Sequence, residues 1–136
     1  MIRKSTIALG IFILFGSPPG FVSAQSIPAG GEFALNLETT VVIYGQRARR
    51  CGKAPSFNWT ISNAITKKPR YGKLSDGGIG TRSSSTCGGA TPVRIINYTP
   101  IAKKARKRAA KKKTNVIQDL VTFWGTDEAV LNISVE

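Results

Sequence analysis

The chain has 136 residues, 20 of them Lys or Arg and seven Asp or Glu, for a formal charge of +13, and it contains no histidine. That composition excludes Ser-His-Asp and Cys-His catalysis and metal sites built on imidazole. The charge predicts attraction to polyanions and carries no information about fold.

The N-terminus has the three parts of a secretory signal. Arg3 and Lys4 precede a nine-residue apolar stretch, Ile7 to Phe15, and Gly16, Pro18, Pro19 and Gly20 then break any helix. Val22-Ser23-Ala24 offers small or aliphatic residues at the cleavage positions, so residues 1–24 are expected to be a signal peptide and Gln25 the mature N-terminus. As a helix the apolar stretch spans roughly 14 Å against about 30 Å of bilayer core. No later stretch is long enough to cross a membrane, so the mature chain is expected to lack a transmembrane segment and to be periplasmic or secreted. Residues 25–136 leave 112 residues and a charge of +11, the length of one domain.

Export would carry Cys51 and Cys87 into an oxidising compartment, and two cysteines in such a chain predict a disulfide. Closing that loop is worth about 4 kcal/mol in the chain-entropy model, a large share of a small domain's stability.

From Glu32 the hydrophobic period is two. Phe33, Leu35 and Leu37 alternate with polar or small neighbours and predict a half-buried strand, and Thr39 to Tyr44 predicts a second strand or a continuation of the first past a bend. Gln46 to Ser56 reads as an Arg-rich loop. Phe57, Trp59 and Ile61 alternate with Asn58, Thr60 and Ser62 and predict another strand, followed by a polar connection over Asn63 to Pro69. Tyr71 to Leu74 reads as a short strand and Ser75 to Pro92 as a long loop tethered by Cys87. Val93 to Tyr98 is a strand closed by Thr99-Pro100. Residues 101–115 form a basic insert in which Lys103 to Lys113 carries eight basic residues in eleven. Val116 to Trp124 and Ala129 to Val135 predict a closing hairpin around Gly125 to Glu128. The expected fold is all-β, one antiparallel immunoglobulin-like sandwich of about seven strands, with a possible short helix in the insert.

Few residues invite chemistry. The seven carboxylates, Glu32, Glu38, Asp76, Asp119, Asp127, Glu128 and Glu136, show no spacing that marks a catalytic pair. Gly77-Gly78-Ile79-Gly80 lacks the strand, helix and Gly-Lys-Ser/Thr end of a phosphate loop and reads as a turn. Trp59 and Trp124 are expected in the core or at the sandwich rim. An alternative role in stacking sugars or bases would be favoured by flanking arginines, which neither has in sequence. No cofactor, metal site or catalytic residue is expected.

The run from Lys103 is the strongest feature. Alanine, lysine and arginine favour a helix, whereas eight like charges oppose it in isolation. The run reads either as a solvated loop or as an electrostatic arm. As an arm, Lys103, Lys104, Arg106, Lys107, Arg108, Lys111, Lys112 and Lys113 would bind an anionic glycolipid, a phospholipid surface or another polyanion. The segment has no apolar face to insert into a bilayer. The function expected is that of a non-enzymatic exported binding or structural module at an anionic envelope surface. The alternatives are an enzyme or inhibitor using the stapled loops, and nucleic-acid binding outside the cytoplasm.

The segments Pro69-Arg70-Tyr71-Gly72-Lys73-Leu74, Tyr98-Thr99-Pro100 and Asp119 ahead of Leu120 to Phe123 resemble a pattern found in bacterial cadherin-like and immunoglobulin-like sandwich domains. That pattern is P-x-x-G-x-hydrophobic, then Y-T-P, then G-x-D before a penultimate strand. Ser75 to Arg82 with the later Cys-Gly-Gly also resembles small exported bacterial proteins. The glycine expected ahead of Asp119 is absent, with Gln118 in its place, and the basic insert stands where the family has a short connection. The resemblance implies a sandwich fold and an extracytoplasmic site, and supplies no catalytic residues.

Overall fold

A computed structural model describes residues 27–136. The signal segment expected over residues 1–24 lies outside the described residues. Strands β1 (Gly31–Asn36) and β2 (Val41–Arg47) lead into helix α1 (Phe57–Asn63). Next come β3 (Ile65–Lys67), β4 (Gly72–Ser84), β5 (Gly89–Pro100), helix α2 (Ala102–Lys112), β6 (Val116–Phe123) and β7 (Asp127–Ser134). Two sheets form, one in the order β1-β7-β6-β3 and the other β2-β5-β4. The expected all-β sandwich is therefore present, with seven strands among the described residues. One pairing departs from the antiparallel rule: β1 runs parallel to β7, from Gly31 opposite Ala129 to Asn36 opposite Ser134.

Alternation builds the core as the sequence implies. Ile117, Val121 and Phe123 of β6 and Ala129, Leu131 and Ile133 of β7 point inward and meet Leu35, Ile43, Tyr44, Ile96 and Tyr98. The ring of Tyr44 stacks on Phe123 with centroids 3.9 Å apart. Its hydroxyl donates to Asp127 Oδ2 at 3.0 Å.

Three local expectations fail. Phe57 to Ile61 is helical, because the residues turned inward are Phe57, Thr60, Ile61 and Ala64, a spacing of three and four that period-two counting misses. Ser56 caps this helix, its Oγ accepting from Trp59 N–H at 3.2 Å. The polar connection contains β3, which pairs with β6. The expected long loop over Ser75 to Pro92 is mostly a hairpin, with β4 paired to β5 from Gly72–Pro100 to Ser84–Gly89. Gly77 and Gly80 leave room on the sheet for the Ile95 side chain. At Gly78, φ of 89° forms a bulge, where Asp76 Oδ1 accepts from the Gly78 N–H at 2.8 Å. That bond, with Arg94 at 3.1 Å, holds the Asp76 carboxyl below its usual range. The short helix allowed for in the basic insert is present as α2, and it is packed: Ala105 and Ala109, one turn apart, are both in the core.

The residues that carry the family resemblance meet at one buried point. Asp119 is 2% exposed, and its carboxylate accepts from the N–H of Arg70 at 2.8 Å, the N–H of Tyr71 at 2.9 Å and the hydroxyl of Tyr98 at 2.7 Å. Gly72 lies against the Tyr98 ring so closely that a Cβ there would overlap it. Four donors, counting the Leu120 N–H at 3.0 Å, satisfy a charge that burial alone would make costly.

Burial raises the pKa of both Tyr44 and Tyr98, and the adjacent carboxylates, Asp127 and Asp119, raise them further. A raised pKa favours the protonated native state, so its stabilisation is complete below the ordinary tyrosine value. It is lost as pH climbs from that value through the native one. Alkaline titration followed by phenolate absorbance should show these two phenols ionising only as circular dichroism reports unfolding. Ionisation near the free-tyrosine value with the fold intact would contradict this.

Candidate polyanion site

Helix α2 links the end of β5 to the start of β6. Its residues, AKKARKRAAKK, include only alanine as an apolar type. The two buried alanines bring its backbone against the sandwich, and the long side chains fan outward. Ile101, at the N-cap, makes no side-chain cap but donates its N–H to Tyr71 O at 2.8 Å. At the other end Lys113 takes a left-handed conformation, and its N–H reaches Ala109 O and Ala110 O. Lys111 and Lys112 lie in the last turn, where cations complement the helix dipole. Tertiary packing and these ends outweigh the repulsion that opposes the helix in isolation.

The helix surface divides the eight expected residues. Lys104, Lys107, Arg108 and Lys111, spaced at helical intervals, line one depression with Arg70 and Tyr71. Arg108 and Lys112 also line an adjoining groove of about 670 Å³ whose other wall includes Lys67, Arg70 and Asp119. Lys103, Arg106 and Lys113 are exposed on the rest of the helix and line neither. Five of the expected residues are thus brought together with two that were not expected, Lys67 and Arg70. The signal for those two was present as Lys67-Lys68-Pro69-Arg70, three basic residues in four.

Asp119 fixes the groove's shape. By accepting the N–H groups of Arg70 and Tyr71 it clamps the Lys67–Tyr71 segment, and Tyr71 O in turn anchors the start of α2. Its own charge is turned inward on four donors. The one salt bridge among the described residues is Arg94 to Asp76, so no basic residue of the groove has an acidic partner there. The site therefore presents unpaired cations on two rigid walls.

Cys51 and Cys87 form the expected disulfide, with Cα atoms 5.5 Å apart, tying the β2–α1 loop to the β4–β5 turn. No helix among the described residues is long and apolar enough to cross a membrane. Comparison with family models, with curated proteins and with solved structures finds no match.

Proposed function

We propose that this chain is an exported, non-enzymatic binding module that holds polyanions in the groove between α2 and the Lys67–Tyr71 segment, at an anionic envelope surface. The observation that carries this reading is the convergence of Lys104, Lys107, Arg108, Lys111 and Lys112 with Lys67 and Arg70, without acidic partners among the described residues. Polyphosphate and polycarboxylate chains bind such surfaces by releasing condensed counterions. Alanine offers nothing to insert, so the helix lies on a headgroup plane instead of entering it. The Cys51–Cys87 disulfide and the signal expected over residues 1–24 support an oxidising, extracytoplasmic location.

The test replaces Lys104, Lys107, Arg108, Lys111 and Lys112 by glutamine. Glutamine keeps helix propensity, and Ala105 and Ala109 stay in place, so far-ultraviolet circular dichroism should be unchanged. Binding to phosphatidylglycerol vesicles should fall by orders of magnitude. The log–log salt slope for duplex DNA should flatten by about 0.9 for each phosphate that is no longer neutralised. Vesicle binding equal to wild type would remove the helix from the site. Strong binding to DNA alone, with none to vesicles, would favour the nucleic-acid reading.

A further inference from the structure

A second basic concavity lies at the opposite end of the sandwich. Thr91 opens the inner face of β5 there and Pro100 ends the strand beside α2. Nine residues at about 3.3 Å each place the two regions roughly 30 Å apart. The cleft holds about 500 Å³, within the usual range for small-ligand sites. Arg47 at the end of β2, Arg49 in the following loop and Arg82 in β4 line it together with Trp59 of α1 and Trp124 after β6. The flanking arginines missing from the sequence around the tryptophans are thus supplied in space.

The two indoles are 41% and 44% exposed, with ring centroids 6.1 Å apart and planes tilted by 50°. Trp124 and Gly125, with φ of 55° and 71°, are the central residues of the turn that carries β6 into β7, closed by the Thr126 N–H on Phe123 O at 3.2 Å. The Trp124 indole N–H donates to Gln46 Oε1 at 2.8 Å, which fixes the ring. An independent sign of a ligand is Thr91, in the cleft wall, whose buried hydroxyl has no hydrogen-bond partner among the described residues.

The chemistry of the walls selects among anions that carry a ring. Arg82 donates to Gly45 O at 2.8 Å and Arg47 to Ser84 Oγ at 3.3 Å, so both guanidinium groups are oriented and keep further donors. No carboxylate among the described residues lines the cleft. Ser83, Ser84 and Ser85 add hydroxyls suited to sugar hydroxyls. The Gln46 amide, the group best able to read a base edge, is already committed to Trp124 and to Arg47 O. The C–H face of a pyranose carries slight positive charge and matches the negative face of an indole. We propose that this cleft binds an acidic sugar, stacking its ring on the exposed indoles of Trp59 and Trp124 and taking its carboxylate on Arg47, Arg49 and Arg82. The Cys51–Cys87 bridge pins the Arg49 loop to the Ser83–Ser85 wall and so preorganises the site.

The chain's two tryptophans both lie in this cleft, so their fluorescence reports it and not the α2 groove. Digalacturonate should change the emission saturably, both in the wild type and in the α2 glutamine variant. Its dimethyl ester, which has no charge, should bind at least about tenfold more weakly, as should digalacturonate to Arg49→Ala. Arg49 is exposed, so its replacement leaves the fold intact, which the melting temperature verifies. Absence of a saturable change, or equal binding of the ester, would overturn the proposal. Tighter binding of adenosine monophosphate would overturn it in favour of nucleotides. Loss of the signal in the α2 variant would also count against it, without bearing on polyanion binding at the groove.

Discussion

Asp119→Ala should lower the unfolding free energy by about 3–5 kcal/mol, because it removes the acceptor of the buried Tyr98 hydroxyl and of the part-buried N–H groups of Arg70, Tyr71 and Leu120. A domain of this size has roughly 5–15 kcal/mol in total, so the variant should be partly unfolded without denaturant. Tyr98→Phe removes one hydroxyl and leaves the carboxylate its three N–H donors, so its cost should be smaller, about 1–2 kcal/mol. Gly72→Ala reaches the same cluster by a different route, forcing the Tyr98 ring off its site. Urea titration of the three variants should rank Asp119→Ala as the least stable or equal to Gly72→Ala, with Tyr98→Phe mildest. An unchanged midpoint for Asp119→Ala would show that the four-donor cluster does not stabilise the sandwich. The consequence extends to binding: with Asp119 gone, the Arg70 side of the groove loses its clamp, so polyanion affinity should weaken even under conditions where the variant stays folded.

Replacing Cys51 and Cys87 together by serine should cost about 4 kcal/mol, since the bridge closes a loop with a sequence separation of 36. For a domain of this length that corresponds to a fall in melting temperature of roughly 15 °C. The bridge joins an exposed loop to a hairpin turn and contributes little packing, so the loss acts mainly through the freed unfolded chain. The core should be unaltered in the folded variant, while the Arg47–Ser85 cleft should loosen. Differential scanning calorimetry checks the size of the effect. A melting temperature within a degree or two of wild type would mean that the sheets hold the loop and turn together without it.

The strands with clean alternation were legible in the residues: β1, β6 and β7 lie near where Phe33–Leu37, Leu120–Phe123 and Leu131–Val135 suggest. Helix α1 was not, because in a stretch as short as FNWTISNA the set Phe57, Trp59, Ile61 and the set Phe57, Thr60, Ile61, Ala64 coexist. Only tertiary packing decides that Thr60 turns inward and Trp59 outward. The β4–β5 hairpin was hidden for a related reason. Its strand residues are largely glycine and serine, whose pairing partners lie along β5 and whose small size makes room for Ile95, a relation no local window reports. For the basic run, charge was legible and burial was not. Three alanines among eight cations look like spacers until Ala105 and Ala109 are seen to meet the core. The run is thus a packed wall of the site where its charge alone also allowed a solvated loop. The arginines of the opposite cleft show the limit of reading flanks: Arg49 and Arg82 are distant in sequence from Trp124 and share its cleft because β2, β4 and β6 end together.

Amide chemical-shift mapping of the mature protein with a short DNA duplex, titrated at low and then at high salt, locates the polyanion site residue by residue. Perturbations should concentrate in Lys67–Tyr71 and Lys104–Lys112 and shrink as salt rises. Perturbations centred on the Arg47–Lys53 loop, with α2 unmoved, would contradict that placement.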